Sequence, residues 1–195
     1  MGPRAIQMGV AGLALLWLGS CTTQSLPAQA AQLPSLRAGE AVAPALLGLA
    51  LGPGQGLPDC GTASAASACV EDDADAEGIH NVRLAGAARL AGVHDRALAL
   101  QLGDALESLS LQVDGSQTLQ LLPGMLGQLC GAPSFDSRMQ LDGGGQLWSM
   151  AWQCSDAQVQ LNAVQHEAMA QGALSLTTER GQQWFEGGEL VAAAH

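Results

Sequence analysis

Residues 139–154 read Met-Gln-Leu-Asp-Gly-Gly-Gly-Gln-Leu-Trp-Ser-Met-Ala-Trp-Gln-Cys, and the fold turns on this stretch. Met139 and Leu141 alternate with a polar neighbour before the turn Asp142-Gly143-Gly144-Gly145. Beyond the turn, Trp148, Met150, Trp152 and Cys154 fall on one side of an extended chain. Side chains of a strand point alternately to opposite faces, so two such runs joined by a glycine-rich turn predict a hairpin with one buried face.

The pattern continues outward. Leu98, Leu100 and Leu102 alternate, as do Leu109, Leu111 and Val113. Asp114-Gly115 follows, then Leu119 and Leu121, which predicts a second hairpin across the Asp-Gly pair. Leu174 and Leu176 lead into Glu179-Arg180-Gly181, read as a turn, with 182–186 returning as a strand. Short turns and few helical intervals predict a mainly β fold, an antiparallel β-sandwich or small barrel with one or two short helices. The segment 157–171 stays open between two readings. Ser155-Asp156 suits a helix cap and Gly172 a stop, yet Val159, Leu161 and Ala163 alternate as in a strand.

The chain has 195 residues and a formal net charge of -11, with no lysine and no tyrosine. Its core must be built mainly from aliphatic side chains. Arg4 is the one charged residue ahead of Cys21, so loss of that segment leaves six Arg against 18 acids, a charge of -12. Such a domain is repelled by phosphate backbones and anionic head groups alike, which argues against nucleic-acid binding and electrostatic adhesion to a membrane.

The first residues read as an export signal. Arg4 is followed by an apolar run from Ile6 to Leu18, too short to span a bilayer comfortably. Leu18-Gly19-Ser20-Cys21 then resembles the lipobox of bacterial lipoproteins. The resemblance covers about a tenth of the chain. It implies cleavage before Cys21, a diacylglyceryl and palmitate anchor on that residue, and an envelope location. Thr22, where an Asp would direct inner-membrane retention in that family, implies the outer membrane with the protein facing the periplasm. Ala28-Gln29-Ala30 offers the alternative of ordinary cleavage and a secreted periplasmic protein. The expected organisation is a signal peptide at 1–20, a tether at 21–58 and one mostly β domain at 59–195. Five of the eight prolines fall within 22–58, a spacing that favours extended chain. A short helix fits within 45–51, after Pro44.

Removing Cys21 from the five cysteines leaves Cys60, Cys69, Cys130 and Cys154, an even number suited to two disulfides in an oxidising compartment. Of three possible pairings, Cys60–Cys69 would close a local loop and Cys130–Cys154 would frame a hairpin. Each would stabilise by about 2–3 kcal/mol, mainly by restricting the unfolded chain. No C-x-x-C occurs, and the cysteine spacings match no zinc finger.

Other motifs fall short of a site. Asp73, Asp75, Glu77 and Gly78 match the start of an EF-hand loop, but His80 and Leu84 stand where an aliphatic and a bidentate Glu are needed. A solvated acidic loop is the better reading. His166-Glu167 opens like a zincin helix, yet Ala170 replaces the second His. Asp59-Cys60-Gly61 faintly resembles the nucleophile segment of papain-like cell-wall peptidases, which would need His80 or His94 as its base. Trp148 and Trp152 suit a sugar-stacking platform, or more simply the core.

No catalytic residue, metal ligand or cofactor emerges, and the sequence favours binding over turnover. The expectation is a monomeric or weakly associating, lipid-tethered envelope protein that engages a protein partner, in an accessory, structural or inhibitor role. The alternatives are a carrier of a small molecule or lipid, and an envelope cysteine hydrolase.

Overall fold

A computed structural model describes residues 36–64, 67–72, 78–84, 92–166 and 169–187. The chain forms a short helix, four strands, a longer helix, four more strands and a last short helix. These are α1 (Val42–Leu47), β1 (Cys69–Val70), β2 (Ile79–Arg83), β3 (Val93–Leu102), β4 (Ala105–Asp114), α2 (Ser116–Cys130), β5 (Phe135–Gln140), β6 (Gln146–Gln153), β7 (Gln158–His166), β8 (Met169–Thr177) and α3 (Glu179–Phe185).

The fold is mainly β and antiparallel, as the alternation predicts. The eight strands make one sheet in the order β1-β2-β3-β4-β8-β7-β6-β5, where a two-sheet sandwich or a closed barrel was expected. Two four-stranded meanders meet where β4 pairs with β8, from Ser108 opposite Thr177 to Asp114 opposite Gln171. A second sheet is unnecessary because helices bury the apolar side. Leu109, Leu111 and Val113 of β4 share one core with α2, with Leu174 and Leu176 of β8, and with Val159 and Leu161 of β7. Trp148, Met150 and Trp152 of β6 complete that face and are core residues, so Trp152 at 1% exposure stacks on no ligand.

The hairpin predicted from 139–154 is present, with Met139 opposite Leu147 and Leu141 N–H donating to the Gly145 carbonyl at 2.7 Å. The segment 157–171 resolves as strand: β7 and β8 pair along their length, from Gln158 opposite Thr177 to His166 opposite Met169. Asp156 does cap a helix, but a different one. Its carboxylate accepts from Val42 N–H at 2.8 Å and Ala43 N–H at 3.3 Å, serving α1, which has no cap of its own.

Three sequence expectations are corrected. Asp114-Gly115 is no hairpin turn; it ends β4 and starts α2, and Leu119, Leu122, Leu126 and Leu129 recur at helical spacing on the buried side. Residues 182–185 belong to helix α3, with Glu186 as its C-cap, and do not return as a strand. Thr178 caps it by accepting from Gly181 N–H at 3.1 Å, and Gly181 is there for contact, since a Cβ would lie 2.7 Å from the Glu107 carbonyl oxygen. The tether expected to run to 58 ends sooner. Val42, Leu46 and Leu47 are core residues, and Gly52 N–H donates to the Leu106 carbonyl at 2.8 Å. Pro44 sits in the first turn of α1, where its missing N–H costs nothing.

Candidate functional site

Among the described residues one side of the sheet is covered by helices and most of the other is open, with Leu100 and Ser108 buried at the corner beside α3. Strand alternation makes Ser108, Ser110 and Gln112 of β4 point away from α2. Directly beside them in register stand Thr177, Ser175 and Ala173 of β8, then Gln158, Gln160 and Asn162 of β7. These nine positions form three rows of three on the uncovered face, and none carries a charge. The chain has 18 acids, so their exclusion from this patch sets it apart.

The small hydroxyls pair within their rows. Ser108 and Thr177 hydroxyls lie 2.9 Å apart, Ser175 Oγ donates to Ser110 Oγ at 3.2 Å, and Ser149 Oγ donates to Asn162 Oδ1 at 2.8 Å. The longer Gln112, Gln160 and Asn162 side chains are exposed. Apolar groups flank the lattice: Leu98 on β3, 51% exposed, and Phe135 and Met139 on β5. A groove of about 470 Å³ crosses the corner nearest α3, between Leu98, Ser110, Gln160 and Phe185. Two shallower hollows continue along the same face past Gln112 and Asn162.

At the end of the sheet a second polar cluster holds α3. Glu107, 1% exposed, accepts from the Thr178 hydroxyl, and Arg180 Nη1 stands 3.4 Å from its other oxygen. The Glu107 carbonyl also accepts from Thr178 N–H at 2.9 Å. This buried carboxylate has the role of a structural latch on the cap of α3.

The sequence-derived residues are distributed as follows. Cys21 and the lipobox lie outside the described residues, as do Asp73, Asp75 and Glu77 of the acidic loop. Cys60 pairs with Cys69 and Cys130 with Cys154, with Cα atoms 4.8 Å and 4.6 Å apart, in the preferred pairing. The first closes a loop against β1; the second ties the end of α2 to the β6–β7 turn. As half of a disulfide, Cys60 holds no thiolate, which removes the nucleophile of the peptidase reading. The three described histidines are separately engaged. His80 Nδ1 is 3.3 Å from the Asp72 carbonyl, His94 Nε2 is 2.6 Å from Asp114 Oδ2, and His166 Nε2 is 3.0 Å from the Gly143 carbonyl. His166 ends a strand, so the zincin reading lacks its helix as well as its second ligand. Among the described residues no group of three or more His, Cys, Asp and Glu is placed to hold a metal ion.

Two exposed carboxylates titrate below the usual range. The Asn81 side-chain amide and backbone N–H hold Asp72 down, and the His94 hydrogen bond does the same for Asp114. Sequence reading missed the uncharged lattice because its members come from 108–112, 158–162 and 173–177. Only the order β4-β8-β7 brings those segments side by side.

No family model, no curated protein and no solved structure matches this chain.

Proposed function

We propose that this chain is an exported, lipid-anchored cell-envelope protein that works by binding a protein partner on its uncovered sheet face. The observation that carries the binding reading is the uncharged Ser/Thr/Gln/Asn lattice on an otherwise acidic chain. The centre of a protein interface is depleted of charged residues, because burying an unpaired charge is expensive. Neutral hydroxyls and amides lose little on desolvation when they meet backbone groups of a partner. The surrounding acids would steer a basic partner toward the molecule and set its approach, with a salt-sensitive association rate.

The anchor reading rests on the apolar run and the Leu18-Gly19-Ser20-Cys21 motif, and two disulfides suit an oxidising compartment. Thr22 favours the outer membrane on the same resemblance.

Two experiments test the two halves separately. Cys21→Ser should abolish incorporation of labelled palmitate and release the protein from the membrane fraction; retention without acylation overturns the anchor. For the face, a photo-crosslinking residue at Gln160 should capture a discrete envelope protein, whereas the same residue at exposed Gln128 on α2 should not. With the crosslinker kept at 160, the paired changes Asn162→Glu and Ser175→Glu should weaken that capture at least tenfold. Equal capture from both sides of the molecule overturns the binding face.

A further inference from the structure

The two edges of the sheet are built differently. β1 is two residues long, tied to Cys60 by its disulfide and flanked by Asp59, which bridges to Val70. β5 is six residues long, and every one of them is exposed. No described residue pairs with its outer side. Natural edges are blunted by proline, charged side chains, a bulge or a covering element. β5 has no proline and an unbroken register with β6, and its two charges, Asp136 and Arg138, are opposite in sign and able to pair with those of a second strand.

Its hydrogen-bonding parity can be read from the turn. Leu141 N–H donates to the Gly145 carbonyl, so 141 belongs to a hydrogen-bonded pair with β6. Such pairs alternate along an antiparallel ladder. Met139, Ser137 and Phe135 therefore also direct their backbone groups toward β6, and Asp136, Arg138 and Gln140 direct theirs outward.

We propose that β5 pairs antiparallel with β5 of a second copy of this chain, about a two-fold axis through Ser137. In that register Asp136 lies opposite Arg138 of the second copy, and Arg138 opposite its Asp136. Phe135 lies opposite Met139 of the second copy, and Ser137 opposite Ser137. The Asp136/Arg138 pairs are then the hydrogen-bonded ones, as the outward backbone groups require. Shifting one copy by a single residue sets outward groups against inward ones and loses the ladder. The next allowed registers centre on Arg138 or on Asp136 and place like charges face to face, which is destabilising.

The side chains fit the same register. Asp136 and Arg138 already sit 3.4 Å apart on one strand, so pairing makes a square of two carboxylates and two guanidiniums. On the uncovered side, Phe135 and Met139, 52% and 56% exposed, cover each other across the seam. Remote acids of the two copies repel, but a Debye length of about 8 Å at physiological ionic strength screens them more than the contact pairs. A single strand pair falls short of the roughly 1,200–2,000 Å² of a stable interface, so the dimer is a weak one. It would join the two sheets into one continuous sheet with both uncharged lattices on the same side.

The test uses the full chain in an exporting host. Opposed residues of a non-hydrogen-bonded pair have Cα atoms about 4.5 Å apart, within disulfide reach. Ser137→Cys should therefore give a covalent dimer on a non-reducing gel, with the cross-link mapped by mass to the introduced thiols of the two copies. Gln140→Cys should stay monomeric, because residue 140 lies about 20 Å from its equivalent at 3.3 Å per residue. In the Ser137→Cys background, Asp136→Arg or Arg138→Asp alone should cut the dimer at least tenfold. Both together should restore it, which also excludes misfolding as the cause. A monomeric Ser137→Cys protein overturns the proposal. So do equal cross-linking at 140, indifference to the charge changes, or a disulfide from the introduced thiol to a different protein.

Discussion

On β4, Leu109, Leu111 and Val113 point beneath α2 while Ser108, Ser110 and Gln112 point away from it, and the same division runs through β7 and β8. The covered face is aliphatic, with two Trp at its β6 margin. The uncovered face is hydroxyl and amide, without charge at its centre. A soluble sheet that needed only to be wetted would carry Glu, Asp and Arg there, as the rest of this chain does. The difference teaches that the second face is under a different demand from the remaining surface. The covered face sets stability, and the uncovered face is free to set recognition.

The largest effects should come from the covered face. Leu122 on α2 is fully buried, so Leu122→Ala removes buried methyl groups and leaves a cavity. The expected cost is about 2–5 kcal/mol, read as a lower urea midpoint with an unchanged slope. Gly172 on β8 lies against Leu119 of α2. A Cβ there would meet the Asn162 carbonyl oxygen and Leu119 Cδ2, each at 2.9 Å, and Ala163 Cβ at 3.2 Å. Gly172→Ala is therefore an overpacking change, expected to cost about 1–3 kcal/mol. A neutral Gly172→Ala would mean that α2 has room to lift from the sheet, and the contrast between a closely packed face and an open one would lose its basis.

How much of this was legible in the sequence depended on the range of the interaction. The β5–β6 hairpin was readable because its turn glycines and its alternation lie within one short stretch, 139–154. α2 was hidden by Pro123, Gly124 and Gly127, which lower helix propensity, and by an Asp-Gly pair that imitates a hairpin turn. The spacing of Leu119, Leu122, Leu126 and Leu129 was the available signal. In β3 the alternating leucines do not mark the main core side. Leu98 and Leu100 share a face with Ser110 and Ser108, and Ala97 and Ala99 supply the core opposite Leu111 and Leu109. Disulfide pairing was readable from separation, because near cysteines meet most easily. The uncharged lattice was not readable at all, since β4 and β8 are far apart in the chain and their pairing is a property of the sheet.

On the uncovered face the expected stability effects are small. Ser175 donates a 3.2 Å hydrogen bond to Ser110 and is half-buried, lining the groove beside α3. Ser175→Ala should change stability by less than about 0.5 kcal/mol in the same urea measurement. A loss comparable to that of Leu122→Ala would show that this face is packed, and the two faces would then be alike.

The smallest effect concerns the charge that borders the lattice. Asp114 ends β4 one step beyond Gln112, whose amide donates to its Oδ1 at 3.3 Å, and His94 Nε2 lies 2.6 Å from its Oδ2. The hydrogen bond with His94 is the main reason this carboxyl titrates below the usual range, with Gln112 adding to it. A carboxyl whose folded-state pKa is depressed stabilises the fold above its ordinary pKa, and loses that contribution as pH falls through the lowered value. The contribution is therefore complete at neutral pH, and the pH dependence it causes lies only on the acid side. His94→Ala should raise the Asp114 midpoint toward the ordinary carboxylate range, followed by carbon-detected NMR of the carboxyl, and should make the acid-side fall in stability shallower, because the pKa difference that causes it is reduced. The same variant should leave Gln160-directed partner capture intact, since Asp114 borders the uncharged rows without belonging to them. An unchanged Asp114 midpoint would assign the depression to Gln112. Lost capture would instead extend the binding face to its charged margin and redraw the division between the two faces.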